Sequence, residues 1–190
     1  VLSRRQRQMC IRDRVNREQL TYSSLAGGTF AASDTITGGT SGASGTVVFA
    51  GTNANGEDVV RFTTVSGTFQ NSETISNGTA TATVASVANV NVYAIGGSES
   101  PVISLASHNT YRFDMSDASN AGHPFVLDGT SNAATTEFQT VTFGSAGQAG
   151  SYVDIIVKPS ATIGNTAYYE CSVHGRVMSQ NAFINITAGT

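Results

Sequence analysis

Hydrophobic and polar residues alternate along much of this chain in short runs. Segment 110–115 places tyrosine, phenylalanine and methionine on one side and threonine, arginine and aspartate on the other, and segment 151–157 alternates in the same way. A period of two is typical of a β-strand with one buried face. Further strand-like runs lie at 45–49, 58–65, 81–87, 102–105, 123–127, 138–143, 167–170 and 182–186. The pattern predicts an all-β protein without any long helix.

The chain divides into two β-rich regions around a linker at 96–101, Gly-Gly-Ser-Glu-Ser-Pro. In the first region, residues 19–97, the string GTFAASDTIT at 28–37 recurs as GTFQNSETIS at 67–76. Asp34 and Glu73 occupy equivalent repeat positions, for which we predict a role in turns. The second region, residues 98–190, holds seven or eight short strands. Their count and spacing predict an antiparallel Greek-key sandwich.

Residues 1–18 differ in composition from the rest and carry 6 of the 10 Lys and Arg residues. The opening string VLSRRQRQMCIRDR resembles translated sequencing adaptor, so we expect a non-native or disordered tail with no sheet partner. On that interpretation the true N-terminus and any signal peptide are missing, and an extracytoplasmic or virion location is suspected. Outside the tail, 4 basic residues face 11 acidic ones, which argues against nucleic-acid binding. No apolar run is long enough to predict a membrane span.

Candidate chemistry is concentrated in segment 168–178, YYECSVHGRVM, which contains Cys171, His174 and Met178. His123 lies 48 positions before Cys171, in the string Gly-His-Pro-Phe. A thiolate, two imidazoles and a weak thioether are the ligand set of a mononuclear blue-copper electron-transfer site. The remaining histidine, His108, is expected to be an exposed turn residue. Carboxylates in the first region are scattered rather than paired for acid–base work, and we predict a protein that is not an enzyme.

The spacing His123, Cys171, His174, Met178 resembles that of the cupredoxin family, the blue-copper proteins related to plastocyanin. The resemblance covers residues 100–188. It implies a cupredoxin-like sandwich that binds one type 1 copper ion and exchanges single electrons with a redox protein partner. Cys171 is then the copper thiolate, His123 and His174 are the equatorial ligands, and Met178 is the axial ligand.

Two residues depart from the family pattern. Pro124 follows the first histidine and has no N–H to offer the cysteine sulfur. Arg176 lies within the ligand loop, where small or apolar residues would give a dry docking patch.

Other sites fit the sequence less well. Zinc seldom uses methionine. A Cys-His hydrolase would place its two residues on separate elements, whereas Cys171 and His174 share one loop. The neighbours of Cys171, Glu170 and Ser172, offer no route to a second copper.

An alternative function remains open. The repeats resemble small β-repeats of virion proteins in marine bacteriophages, some of which also carry a module like His123-Pro-Phe with Tyr-Tyr-x-Cys-x-x-His. The chain is then a virion or tail structural protein that contacts other virion components. Its sandwich would serve as a decoration or adhesion module, with a vestigial or structural metal site.

Overall fold

The computed structural model describes residues 6–53, 55–128, 136–180 and 182–189, with side chains from residue 17 onward. The protein is all-β, as predicted, and a short 3-10 turn lies at Ala118–Asn120. No helix among the described residues is long and apolar enough to cross a membrane. The strands are β1 (Gln6–Ala26), β2 (Thr35–Gly38), β3 (Ser44–Thr52), β4 (Asp58–Ser66), β5 (Thr74–Ser76), β6 (Thr81–Ile95), β7 (Ser98–Glu99), β8 (Ile103–Ala106), β9 (Thr110–Asp114), β10 (Phe125–Leu127), β11 (Phe138–Phe143), β12 (Tyr152–Val157), β13 (Thr166–Cys171) and β14 (Phe183–Thr187).

The described residues form two compact units. The repeat unit is Asn16–Asn91, and the sandwich unit comprises residues 6–15 and 92–189. The sequence predicted a linker at 96–101, whereas the boundary between the two compact units lies between residues 91 and 92. The sandwich unit therefore includes the last residues of β6, which pair with β7.

In the repeat unit the two copies pair directly with each other. β2 and β5 carry equivalent repeat positions and run antiparallel, with Thr37 opposite Ser76. Each then pairs with the strand that follows it, β3 or β6. On the other side of β3 lie β4 and then residues 18–21 of β1. The equivalent apolar residues of the copies share one core, which includes Phe30, Phe69, Ile36, Ile75, Val47 and Val84.

The predicted turn role of Asp34 and Glu73 is confirmed. The Ala31 N–H donates to Asp34 at 2.9 Å, and the Gln70 N–H donates to Glu73 at 2.6 Å, which is the same bond across three residues in both copies. Glu73 is 4% exposed and also accepts bonds from Thr40 and Ser41. These donors satisfy a buried carboxylate, whose isolation would be costly.

The sandwich unit has two sheets. One has the order β11-β12-β9-β1, where β1 contributes residues 6–10, and the other has the order β10-β13-β14-β8. Alternate residues of β8, β9, β12, β13 and β14 are buried, as the period of two predicted. They meet in one core that includes Leu105, Phe113, Phe125, Ile155, Tyr169, Cys171 and Ile184.

Two strand pairs of the sandwich unit are parallel, β8 with β14 and residues 6–10 of β1 with β9, whereas the sequence analysis expected antiparallel strands. β8 and β14 run in the same direction, with Ile184 opposite Ile103. A parallel pair needs a long connection between its strands, and here the connection is nearly the whole unit. The predicted Greek-key connectivity stays a prediction.

The expectation that residues 1–18 lack a sheet partner is wrong where the structure describes them. Residues 6–10 pair in parallel with β9, from Gln6 opposite Thr110 to Cys10 opposite Asp114, and Glu18 lies opposite Phe62. Residues 1–5 lie outside the described residues. Without β1, β9 would be an edge strand with unpaired main-chain groups, and main-chain pairing accepts almost any side chain. An unusual composition therefore does not prevent a segment from joining a sheet.

Candidate metal centre

Strand pairing brings His123 to the end of β13. β10 and β13 are antiparallel, and Phe125 lies directly opposite Cys171. Just beyond this pair, the Ser172 N–H donates to the carbonyl of Pro124 at 3.0 Å. β10 begins at Phe125 rather than at His123, because Pro124 has no N–H for the ladder. His123 therefore lies in the loop that immediately precedes β10, beside the thiol of Cys171.

A tight loop brings His174 to the same place. The Cys171 N–H donates to the Gly175 carbonyl at 3.2 Å, and the Gly175 N–H donates back to the Cys171 carbonyl at 2.7 Å. Gly175 has a φ of +61°, a conformation that costs a glycine little and most other residues considerably more. The two bonds close the loop and turn His174 back over the end of β13.

Three potential ligand atoms converge at this point. The Nδ1 atoms of His123 and His174 are 3.1 Å apart, and the Cys171 Sγ lies 3.4 Å from the Nδ1 of His174 and 3.9 Å from that of His123. In a triangle with these sides, a point equidistant from the three atoms lies about 2.0 Å from each, within the range of metal–nitrogen bonds and slightly below a metal–thiolate bond. These three residues can thus hold a metal ion between them.

Hydrogen bonding satisfies the two imidazole nitrogens of the triangle only when one of them carries a proton and the other does not. Two imidazole nitrogens at 3.1 Å need one to carry a proton and the other to accept it. If both nitrogens carried protons, two donors would face each other. A cation in the middle satisfies all three atoms at once when the thiol is ionised and the facing nitrogens are unprotonated. The residues present therefore fit a metal ion.

The site is closed on one side and open on the other. Cys171 is 0% and His123 is 6% exposed, whereas His174 is an exposed residue. The two imidazole rings are stacked, with centroids 4.7 Å apart and an angle of 28° between their planes. One ligand edge thus reaches the surface while the thiol lies within the hydrophobic core.

Met178 is buried and belongs to the same core as Cys171, with 1% of its surface exposed. Met178 lies in the loop before the last strand, since β14 starts only at Phe183. The residues after Met178 form a turn, since the N–H groups of Ser179 and Gln180 both donate to the Arg176 carbonyl. Its role as the fourth ligand stays a prediction.

Arg176 is held away from the triangle. Its guanidinium donates from Nε to Asp128 Oδ2 at 2.6 Å and also through Nη2. The same group lies over the ring of Tyr168, 4.0 Å from the centroid. Asp128 directly follows β10 and is 5% exposed. Arg176 therefore fastens the ligand loop to the strand that follows His123.

Glu170 lies close to this ion pair. Burial and the nearby Asp128 raise the pKa of the Glu170 carboxyl, against the opposing effect of Arg176. Burial, with the charge of Asp128, thus favours the protonated form of Glu170 more than bulk water does.

Tyr93 is a contributor to this region that the sequence analysis missed. It lies near the end of β6, is 0% exposed, and its hydroxyl donates to the main-chain carbonyl of His123 at 2.9 Å. Burial and then the neighbouring Cys171 raise the pKa of Tyr93 well above its usual value. A bond to a main-chain carbonyl leaves no spacing pattern, so nothing in the sequence distinguishes Tyr93 from other strand tyrosines.

His108 lies apart from the site. It is exposed in a turn with φ +66°, as predicted, and its ring contacts the hydroxyl of Ser107.

Two comparisons with known proteins found no match for this chain. No protein-family model matches the chain, and a search of curated proteins finds no relative. The functional argument therefore rests on the geometry of the site.

Proposed function

We propose that the sandwich unit is a mononuclear copper-binding, cupredoxin-like domain of the one-electron-transfer type. The observation that carries the proposal is the triangle of His123 Nδ1, His174 Nδ1 and Cys171 Sγ, with its equidistant point about 2.0 Å from each atom. The two imidazoles would be equatorial ligands and Cys171 the thiolate. Met178 would be the weak axial ligand from the buried side.

The donor set favours copper over other metals. Thiolate and thioether sulfurs are soft ligands that suit copper, whereas closed zinc sites seldom include methionine. When bound, copper would supply a couple between Cu(II) and Cu(I). The part of the protein would be to hold His123, Cys171 and His174 close together, which would limit rearrangement between the two oxidation states.

Electron exchange would pass through the exposed ring of His174, and the burial pattern supports this part of the proposal. Among the three atoms of the triangle, only that ligand belongs to an exposed residue. Its loop also exposes Val173 at 64% and Val177 at 43%, while Arg176 is engaged with Asp128 and Tyr168. An apolar rim around an exposed ligand suits a brief contact with a redox protein partner.

Voltammetry of the copper-loaded full chain tests the redox role. We expect a reversible one-electron wave that disappears in Cys171→Ala, because that variant lacks the thiolate. The matched control is His108→Ala, which removes the histidine remote from the triangle and should retain the wave. A protein that binds copper tightly but gives no reversible wave would contradict electron transfer.

The second candidate is a virion structural protein with a structural metal site. The repeat unit favours it, because its carboxylates at Asp34 and Glu73 are engaged in turn bonds rather than in chemistry. On this alternative, metal raises the unfolding temperature without giving a reversible wave. The extracytoplasmic or virion location belongs to the same proposal and is tested by detecting the chain in purified particles.

A further inference from the structure

Tyr93 connects two parts of the candidate metal centre. Its ring lies in the core of the sandwich unit, in edge-on contact with Phe125 at 5.6 Å between centroids. A buried tyrosine hydroxyl needs a hydrogen-bond partner, and here it donates to the His123 carbonyl at 2.9 Å. Tyr93 thus contacts the residue that contributes one corner of the triangle.

The bond completes the main-chain fixation of His123. The N–H of His123 donates to the Asn120 carbonyl at 2.8 Å, at the end of the 3-10 turn. Since Pro124 follows, the backbone of His123 is restricted to extended conformations. Removal of the Tyr93 hydroxyl leaves a carbonyl in the core without this donor, and the loop then gains freedom to move the imidazole.

The main chain of Tyr93 reaches the other end of the site. Its N–H donates to the Met178 carbonyl at 3.0 Å, and its carbonyl accepts from the Ser100 N–H at 2.8 Å. The Ser100 hydroxyl donates to the same Met178 carbonyl at 3.3 Å. One residue of β6 therefore ties down the main chain of both His123 and Met178.

We propose that Tyr93 is a positioning residue of the metal pocket, whose hydroxyl sets the place of the His123 imidazole relative to His174 and Cys171. The effect on copper affinity rests on the proposed function, whereas the effect on the metal-free pocket does not. The Tyr93 hydroxyl acts through the His123 carbonyl and also neighbours the Cys171 thiol, and it is not itself a metal ligand.

The test compares Tyr93→Phe with Tyr169→Phe in the full chain. Tyr169 is a matched control, since it is also 0% exposed, stacks on the same Phe125, and donates its hydroxyl to a main-chain carbonyl, that of Pro101, at 2.8 Å. Each variant loses one buried tyrosine–carbonyl bond, so a similar decrease in Tm is expected. Only Tyr93→Phe removes a bond to a residue of the triangle.

Two readouts separate positioning from general destabilisation. The first is the nuclear Overhauser effect between the rings of His123 and His174 in the metal-free protein, which we expect to weaken in Tyr93→Phe alone. The second is the copper dissociation constant, which should increase 10- to 100-fold in Tyr93→Phe, a usual effect of losing a group that orients a ligand. Tyr169→Phe should match the wild type in both.

Equal results for the two variants would overturn the proposal. If wild-type protein takes up no copper, the proposed function fails, and the ring contact in metal-free protein alone decides the role of Tyr93. Should Tyr93→Phe not fold, the hydroxyl protons of the wild type provide the test. On addition of diamagnetic Cu(I), or of Zn(II), the Tyr93 proton should shift and the Tyr169 proton should not, and the reverse result would contradict the proposal.

Discussion

The two units of this protein use clustered polar side chains in opposite ways. In the repeat unit, the Glu73 carboxylate accepts hydrogen bonds from the N–H groups of Gln70, Thr40 and Ser41 and from the Ser41 hydroxyl. In the sandwich unit, His123, His174 and Cys171 direct their polar atoms at one another. The first arrangement satisfies the backbone of two turns, whereas the second brings together three atoms that could hold a metal ion.

The difference shows how a group that serves the fold can be told from one that serves chemistry. A carboxylate surrounded by main-chain donors contributes to stability, and its loss exposes unsatisfied N–H groups. Side chains whose ligand atoms face one another near a surface satisfy little of the backbone. We therefore expect the two sets to respond oppositely, with Glu73 affecting stability alone and the triangle affecting metal binding alone.

The largest effect is expected for Cys171→Ala. The variant should lose the copper-thiolate absorption entirely, because Cys171 contributes the sulfur of the triangle. Its free energy of unfolding should change by no more than about 1 kcal/mol, since one small side chain is shortened. Absorption spectra and chemical denaturation measure the two quantities. A variant that unfolds, or one that retains the absorption, would break the distinction between the units.

Glu73→Ala should be the most destabilising change in the repeat unit. It leaves several N–H groups in the turns without an acceptor, and we expect a loss of roughly 2–4 kcal/mol. Copper affinity should stay at the wild-type value. Asp34→Ala is the natural comparison, because the equivalent residue is more exposed and should cost less. Equal losses at the two positions, or a change in copper affinity, would contradict this account.

Lowering the pH should remove the stabilisation that the Glu73 and Asp34 carboxylates provide. Burial by itself raises the pKa of Glu73, but the bonds from Ser41, Gln70 and Thr40 outweigh it and lower the pKa overall. The bond from Asn77, and then that from Ala31, lowers the pKa of Asp34. Folded pKa values below the unfolded ones of about 4 mean that this stabilisation is present at neutral pH and is lost as pH falls through the folded values.

The corresponding measurement is Tm between pH 7 and pH 3. The wild type should lose more stability over this interval than Glu73→Gln, which has no carboxylate to protonate. Asp34→Asn should flatten the curve in the same direction. Parallel curves for the wild type and both variants would show that the turn carboxylates do not contribute as described.

The smallest effect is expected for Arg176→Lys. Lysine keeps the charge but loses the planar group that binds Asp128 and lies over Tyr168, at a cost of about 1 kcal/mol or less. Because this contact fastens the ligand loop, copper affinity should decrease several-fold.

Arg112→Lys is the matched control for Arg176→Lys. Arg112 forms a similar ion pair with Asp154 at 2.8 Å and lies 3.5 Å from the ring centroid of Tyr152. Arg112→Lys should lower Tm without changing copper affinity. If both variants change affinity alike, the loop contact has no special role.

The local part of the site could be predicted from the sequence. Cys171 and His174 share one loop. The pairing of β10 with β13 brings His123 to the neighbouring strand end. Tyr93 could not be predicted, because its partner is a main-chain carbonyl, which every residue has. The pairing of residues 6–10 with β9 was missed for the same reason, as a ladder depends on main-chain groups rather than on composition. The sequence analysis singled out Arg176, but the pairing of Arg176 with Asp128 depends on how the loop folds and could not be predicted.

Titration of the purified full chain with Cu(II), followed by visible absorption, tests the central claim most directly. The full chain is needed because a fragment beginning at residue 98 lacks Tyr93 and β1. The account predicts an intense blue thiolate-to-copper band that saturates at one copper ion per chain and is absent in Cys171→Ala. A titration without such a band, or with the same band in Cys171→Ala, would contradict it.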